Sequence, residues 1–270
     1  MVVIVSSTYD SKYFYFLPII SWCWHKIGVK TICFLPEPSS VEQVKEIGRK
    51  EHLVSKVLKE QGIIGNWFQF SCPENKQATY AQCSRLYGAA LDLPENEVLI
   101  LGDIDMCVFR TDFIVKSADD FFDIYGADLV PNGQMPICYA VGTVKTWRRF
   151  FTKGRTYQEC LDTELAHEEM ENMRGNLWSR DQELLAKGVG ELCFKHNRSN
   201  GITPFAQNRI DRDDAYWRDR LGENIIDAHL WRDGFEEQNH ANIMELLRYM
   251  YPSEDLSWID NYRNEYLKLI

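Results

Sequence analysis

Glu97-Val98-Leu99-Ile100-Leu101-Gly102-Asp103-Ile104-Asp105 sets four uninterrupted apolar residues before two carboxylates one residue apart. An apolar run of this length, preceded by Pro94 and ended by a glycine, predicts a strand buried on both faces. That is the pattern of a parallel sheet covered by helices. Ligands of open α/β sheets bind beyond the carboxyl ends of the strands, which is where Asp103 and Asp105 stand. Alternation along an extended chain predicts both acids on one side and Ile104 turned into the core. Two carboxylates so close repel each other, and a divalent cation is the cheapest relief. Such a cation would in turn neutralise a diphosphate. The plainer alternative for Asp-Ile-Asp is a strand-end turn with both acids in water.

The segments upstream alternate between strand and helix. Val2 to Ser6 is a short β-rich run, and Tyr13 to Ile27 predicts a buried helix. A second strand is expected over Val29 to Leu35, stopped by Pro36 and Pro38. An amphipathic helix follows over Val41 to Gln61, then a short strand at Trp67 to Phe70 and a further helix over Gln77 to Leu91. This alternation predicts a doubly wound α/β fold. Downstream the pattern loosens. Strands are expected at Ala127 to Pro131, Pro136 to Gly142 and Ile225 to Trp231. Helices are expected at Leu161 to Met173, Arg180 to Lys187, Asn242 to Tyr251 and Ile259 to Ile270. Without repeats or Gly/Ser linkers, the chain is expected to form one compact domain, residues 1–270, with a nucleotide-binding half at 1–105 and a completing half at 106–270.

Composition limits the function. Of 270 residues 45% are hydrophobic and 13% aromatic, which excludes a disordered chain. A net charge of -10 argues against a sequence-blind nucleic-acid binder. The longest apolar stretch, Tyr13 to Trp24, is too short to span a bilayer and lacks a basic leader, so neither anchor nor signal peptide is expected. The eight cysteines contain no CxxC pair, which fits free thiols packed in the core of a cytoplasmic protein.

Residues 78–106, ATYAQCSRLYGAALDLPENEVLILGDIDM, resemble the core of the GT-A-fold glycosyltransferases, where a helix bearing an arginine precedes a hydrophobic strand ending in the DXD motif. The resemblance extends to enzymes of this class encoded by large algal viruses, for which the compartment would be the host cytoplasm. It implies a Rossmann-like mixed sheet with helices on both faces. It also implies that Asp105 binds a metal, that Asp103 touches the metal and the ribose of a nucleotide sugar, and that Arg85 reaches the donor sugar or Asp103. The opening VVIVSSTYD is similar to the first strand and nucleotide loop of these enzymes, with Ser7 and Thr8 receiving base and ribose and Tyr9 stacking on the base. Asn132-Gly133-Gln134 stands where the retaining branch has a turn facing the donor sugar. Trp178-Ser179-Arg180-Asp181-Gln182-Glu183-Leu184-Leu185 resembles a segment in which the acid holds sugar hydroxyls and the amide lies near the anomeric carbon. The bland reading of Asp181 is an acid complementing a helix N-terminus.

A third metal ligand is expected from the second half. Of the six histidines, His229 follows an apolar run and precedes a glycine-containing turn, as the ligand histidine of the resembled enzymes does. An imidazole favours Mn²⁺ over Mg²⁺, which prefers oxygen throughout. The other ring nitrogen of His229 should rest on Asp227 or a backbone carbonyl, and Arg232 is placed to meet the leaving diphosphate. The expectation is therefore a metal-dependent transferase moving a sugar from a nucleotide donor, a UDP-sugar, to the hydroxyl of a glycan or glycoprotein acceptor, with retention. A sugar nucleotidyltransferase is the nearest rival, but it normally carries a Gly-rich loop with a Lys or Arg after the first strand, and Ser6-Ser7-Thr8-Tyr9-Asp10 has neither. A noncatalytic carbohydrate-binding protein is the rival from another class.

Overall fold

The computed structural model describes residues 1–112, 114, 122–125, 135–165, 179–191 and 208–270. Among them, six strands form one mixed sheet in the order β3-β2-β1-β4-β7-β6. These are β1 (Val2–Ser6), β2 (Lys30–Pro36), β3 (Asn66–Phe70), β4 (Val98–Leu101), β6 (Phe122–Ile124) and β7 (Ala140–Thr143). β1 runs parallel to both β2 and β4, and β2 parallel to β3. β7 is antiparallel to β4 and to β6. The strand of Val98 to Leu101 thus has one parallel and one antiparallel neighbour; its apolar character reflects cover on both faces, not the direction of its partners.

Strict alternation divides the sheet between two cores. Val3 and Val5, Cys33 and Leu35, and Val98 and Ile100 point into one cluster. Val2 and Ile4, Ile32 and Phe34, and Leu99 and Leu101 point into the other. The first face is covered by α1 (Ser11–Phe14), α2 (Leu17–Lys26), α3 (Val41–Glu60) and the late helices α8 (Glu237–Met250) and α9 (Ser257–Tyr266). The second is covered by α4 (Gln77–Ser84), α5 (Val144–Trp147), α6 (Tyr157–Leu165) and α7 (Arg180–Glu191). Local signals set the boundaries. Ser40 caps α3 by accepting the Gln43 amide, replacing a hydrogen bond the first turn lacks. The expected helix over Gln77 to Leu91 tightens at Arg85 into a 3₁₀ segment, Arg85–Ala90. The expected strand over Pro136 to Gly142 starts only at Ala140, because Tyr139 takes a left-handed φ of 60° that breaks extended pairing.

A second, smaller sheet joins distant parts of the chain. β5 (Met106–Val108) pairs antiparallel with β9 (Asp227–His229), which pairs in parallel with β8 (Arg209–Ile210). Five cysteines of the described residues are buried and two half-buried, all free thiols, as the core reading expected. None of the described helices is long and apolar enough to cross a membrane. The segment Ala127 to Pro131, with Asn132 and Gln134, and residue Trp178 lie outside the described residues.

Candidate active site

The chain leaves β1 for β2 on one side of the sheet and returns to β4 on the other. Between the carboxyl ends of β1 and β4 the strand order therefore switches, which opens a crevice. A cavity of about 260 Å³ lies there, and Ser6, Ser7 and Thr8 where β1 ends and Asp103, Ile104 and Asp105 just beyond β4 form part of its wall. The loop after β1 is braced by its own backbone. The Ser7 amide donates to the Phe34 carbonyl at 3.1 Å, and the Ser7 hydroxyl donates to the Thr8 carbonyl at 2.7 Å.

The two acids reach the cavity by a different route from the extended one expected. The chain turns after Gly102, and the Met106 amide donates to the Asp103 carbonyl at 3.2 Å. The turn sends each carboxylate to a separate set of cations. Asp103 accepts from Arg85, whose Nη1 also donates to the Gly102 carbonyl at 2.8 Å. Arg85 is 5% exposed and spans to Asp181, donating from Nη2 to Oδ2 at 2.7 Å. Gly88 brings the arginine this close to the sheet, since a β-carbon there would stand 2.7 Å from Ile4 Cγ1. Asp181 opens α7, and its Oδ1 accepts the Gln182 amide at 2.8 Å. Asp181 thus stands at a helix start, as the capping reading has it, and lines the cavity as well. Burial pushes its carboxyl above the usual range, although Arg85 pulls the other way.

Asp105 meets the second set. Its Oδ2 accepts from Arg212 Nη1 at 2.8 Å and faces His229 Nε2 at 3.3 Å. The small sheet makes this meeting possible: Met106 pairs with His229 in register, and the Leu230 amide donates to the Asp105 carbonyl at 2.8 Å. Burial raises the Asp105 carboxyl, but His229 and Arg212 outweigh it and hold it below its ordinary value. Burial lowers the His229 imidazole, but its two acidic neighbours raise it to about 9. The second neighbour is Asp211, whose Oδ2 lies 3.6 Å from Nδ1; the imidazole beside it brings its carboxyl down to about 2. Asp227, expected in that place, is fully buried and held by Arg209 at 2.8 and 3.0 Å. Both of its carboxylate oxygens are engaged by Arg209 and not by His229.

Most of the predicted residues converge on the cavity: Ser7, Thr8, Arg85, Asp103, Asp105, Asp181, Gln182, His229 and Arg232 all line it. Tyr9 does not. Its hydroxyl donates to Glu51 and its ring packs on Phe14 at 5.2 Å, while Tyr13, one helical turn later, takes the position on the cavity wall. Arg212 also belongs to the wall, and neither it nor Asp211 was expected from the sequence; both lie in a polar stretch, Asp211-Arg212-Asp213-Asp214, that reads as a solvated loop.

Among the described residues no three His, Cys, Asp or Glu side chains are gathered into a ready metal cage. In type, the donors nevertheless suit a divalent ion. A buried carboxylate and an imidazole already face each other, and a second carboxylate lines the same cavity.

No protein-family model matches the chain, and no curated protein is similar to it in sequence. Solved structures match in three dimensions. The galactosyltransferase LgtC, in complex with donor and acceptor sugar analogs, superposes with a TM-score of 0.53 over 98% of this chain and 100% of that one, at 13% identity. An active-site glutamine-to-glutamate variant of LgtC gives 0.53 over 96% and 99%, at 12% identity. The apo-form glycosyltransferase GlyE of Streptococcus pneumoniae TIGR4 gives 0.50 over 99% of this chain and 63% of that one, at 12% identity. At such identities the likeness is one of fold. The mixed sheet flanked by helices is the GT-A arrangement that the sequence led us to expect.

Proposed function

We propose that this protein is a glycosyltransferase that moves a sugar from a nucleotide donor, a UDP-sugar, to an acceptor hydroxyl, with retention and with help from a divalent cation. The observation that carries the reading is Arg85, held between Asp103 at the end of β4 and Asp181 at the start of α7. This bridge joins the nucleotide side of the cavity to the side where Gln182 stands. Ser7 and Thr8 receive the nucleoside, Asp181 and Arg85 orient the donor sugar, and Arg232 adds positive charge for the diphosphate. Preorganised charge of this kind stabilises a leaving group without reorganising at the moment of reaction. Asp103, Asp105 and His229 would hold Mn²⁺ or Mg²⁺, whose Lewis acidity makes the diphosphate a better leaving group.

An inverting enzyme needs an accessible carboxylate base on the acceptor oxygen. Both oxygens of Asp181 are engaged, one by Arg85 and one by the Gln182 amide, which favours an orienting role for this acid. Gln182 lies on the cavity wall beside it, in keeping with the resemblance of this segment to retaining enzymes that set an amide near the anomeric carbon. The test is a panel of UDP- and GDP-sugars with Mn²⁺, following release of the nucleotide and, by proton NMR, the anomer first formed. Mn²⁺-dependent turnover of a UDP-sugar with the donor's configuration kept is expected. Absence of turnover together with absence of metal-dependent UDP binding would overturn the reading, and an inverted product would overturn retention alone.

A further inference from the structure

We infer that Arg212 is a built-in counter-cation that guards the divalent-ion position and, by transferring from Asp105 to the donor's diphosphate, couples binding of the ion to binding of the nucleotide. This rests on the proposed reading of the cavity as a nucleotide-sugar site. Its own support is geometric. Asp105 is 6% exposed, so its carboxylate needs a compensating charge whenever the cavity lacks a divalent ion. Arg212 supplies one at 2.8 Å, on the same oxygen, Oδ2, that faces His229. A divalent ion bound between Asp105 and His229 would meet the guanidinium on a shared ligand atom, and like charges that close repel strongly in a cavity poorer in water than the surface.

The arginine has somewhere to go. It lines both the deep cavity and an adjoining open cleft of about 340 Å³, where Asp213, Trp231 and Arg232 also lie. A diphosphate entering the deep cavity offers Arg212 a second anion at the same rim, and a guanidinium suits phosphate as well as carboxylate because both accept paired N–H donors. Each ligand then removes an obstacle to the other. The diphosphate draws the arginine off Asp105, and the metal frees the arginine for the diphosphate. Such coupling is reciprocal by thermodynamic necessity.

The experiment is calorimetry on the full chain and on Arg212→Gln and Arg212→Lys, titrating Mn²⁺ alone, UDP alone in chelator, and Mn²⁺ in saturating UDP. Circular dichroism and thermal melting would verify that each variant is folded. Arg212→Gln should bind Mn²⁺ alone about tenfold more tightly than wild type and UDP alone about tenfold more weakly, within the usual range for coupled sites. Arg212→Lys, which keeps the charge, should stay near wild type for Mn²⁺ alone. Equal or weaker Mn²⁺ binding by folded Arg212→Gln would overturn the inference while leaving the proposed function intact. If neither wild type nor variant bound Mn²⁺ even in UDP, the metal part of the proposed function would fall, and this inference with it.

Discussion

Arg85 and Asp181 meet at 2.7 Å across 96 positions of sequence, each at most 5% exposed. A pair buried this deeply stabilises little in comparison with an apolar pair of the same shape, but is costly to break from one side. Arg85→Ala should therefore lower unfolding free energy by about 3–5 kcal/mol, since Asp181 would be left as an uncompensated buried charge. Urea denaturation at neutral pH measures it. A loss well under ~1 kcal/mol, the range of exposed pairs, would mean that water reaches the acid.

Gly88 and Gly48 should respond to alanine in opposite directions. At Gly88 a β-carbon would press on Ile4 at 2.7 Å, so the helix must shift or the core repack, a cost of about 1–3 kcal/mol. Because Arg85 sits three residues earlier in the same 3₁₀ segment, UDP affinity should fall with stability. Gly48 lies exposed within α3 with nothing within 4 Å, so Gly48→Ala should stabilise by about 1 kcal/mol through helix propensity alone. Paired denaturation curves, with UDP titrations, check both.

The half-buried Arg209 and the fully buried Asp227 form a second ion pair, and it fastens β8 to β9, the strand that carries His229. Arg209→Met should cost about 3–5 kcal/mol by leaving the fully buried Asp227 unpaired, whereas the double change Arg209→Met with Asp227→Leu should cost far less. The double-mutant cycle by chemical denaturation gives the coupling energy. Near-additive losses would show that the two residues do not act as a unit.

His240 gives a pH dependence whose sign can be worked out. It is nearly buried, its Nδ1 lies 3.3 Å from the Tyr15 hydroxyl and its Nε2 lies 2.7 Å from Asp260. Burial lowers its pKa; Asp260 raises it, Arg263 and Arg248 lower it, and the net direction is downward. The unfolded chain therefore takes up this proton first as pH falls. The contribution of the neutral imidazole is complete above the unfolded value of ~6.5 and declines as pH drops through the lower, folded value. Melting temperature should fall between roughly pH 7.5 and pH 5, and the slope should be shallower in His240→Gln. An identical slope in both proteins would exclude His240 as its source.

What could be read from sequence was what lies close together along the chain. Val98 to Asp105 announces strand, turn and acids in one stretch, and alternation assigns each apolar residue to a face. Asp181-Gln182 was visible for the same reason. Arg212 and Asp211 were not, because Arg212 meets Asp105, and Asp211 comes beside the His229 that faces Asp105, only when β5 pairs with a β9 that lies more than a hundred residues later and carries β8 beside it. The exchange of Tyr9 for Tyr13 has a local cause: Tyr9 is held by Glu51 and Phe14, Tyr13 is carried by α1, and the periodicity of a four-residue helix is too short to detect. The turn after Gly102 stood only as the alternative, because an alternating Asp-Ile-Asp reads equally well as extended chain, and its acids face the cavity where that alternative had them in water.

The small sheet also dictates the order in which the protein can become competent as it is made. β1 to β4 contain nearly all the pairing partners of the parallel half and can associate once residue 101 has emerged. Asp105 then waits for an arginine 107 positions later and a histidine 124 positions later. Closing loops of that length is entropically expensive and slow compared with zipping neighbouring strands. On the ribosome, the sheet is therefore an early structure and the cavity a late one. Asp103 has Arg85 beside it from the start, whereas Asp105 stays without its cations until the second half of the chain is made, so the proposed nucleotide binding would report that the distal part of the chain has arrived and docked.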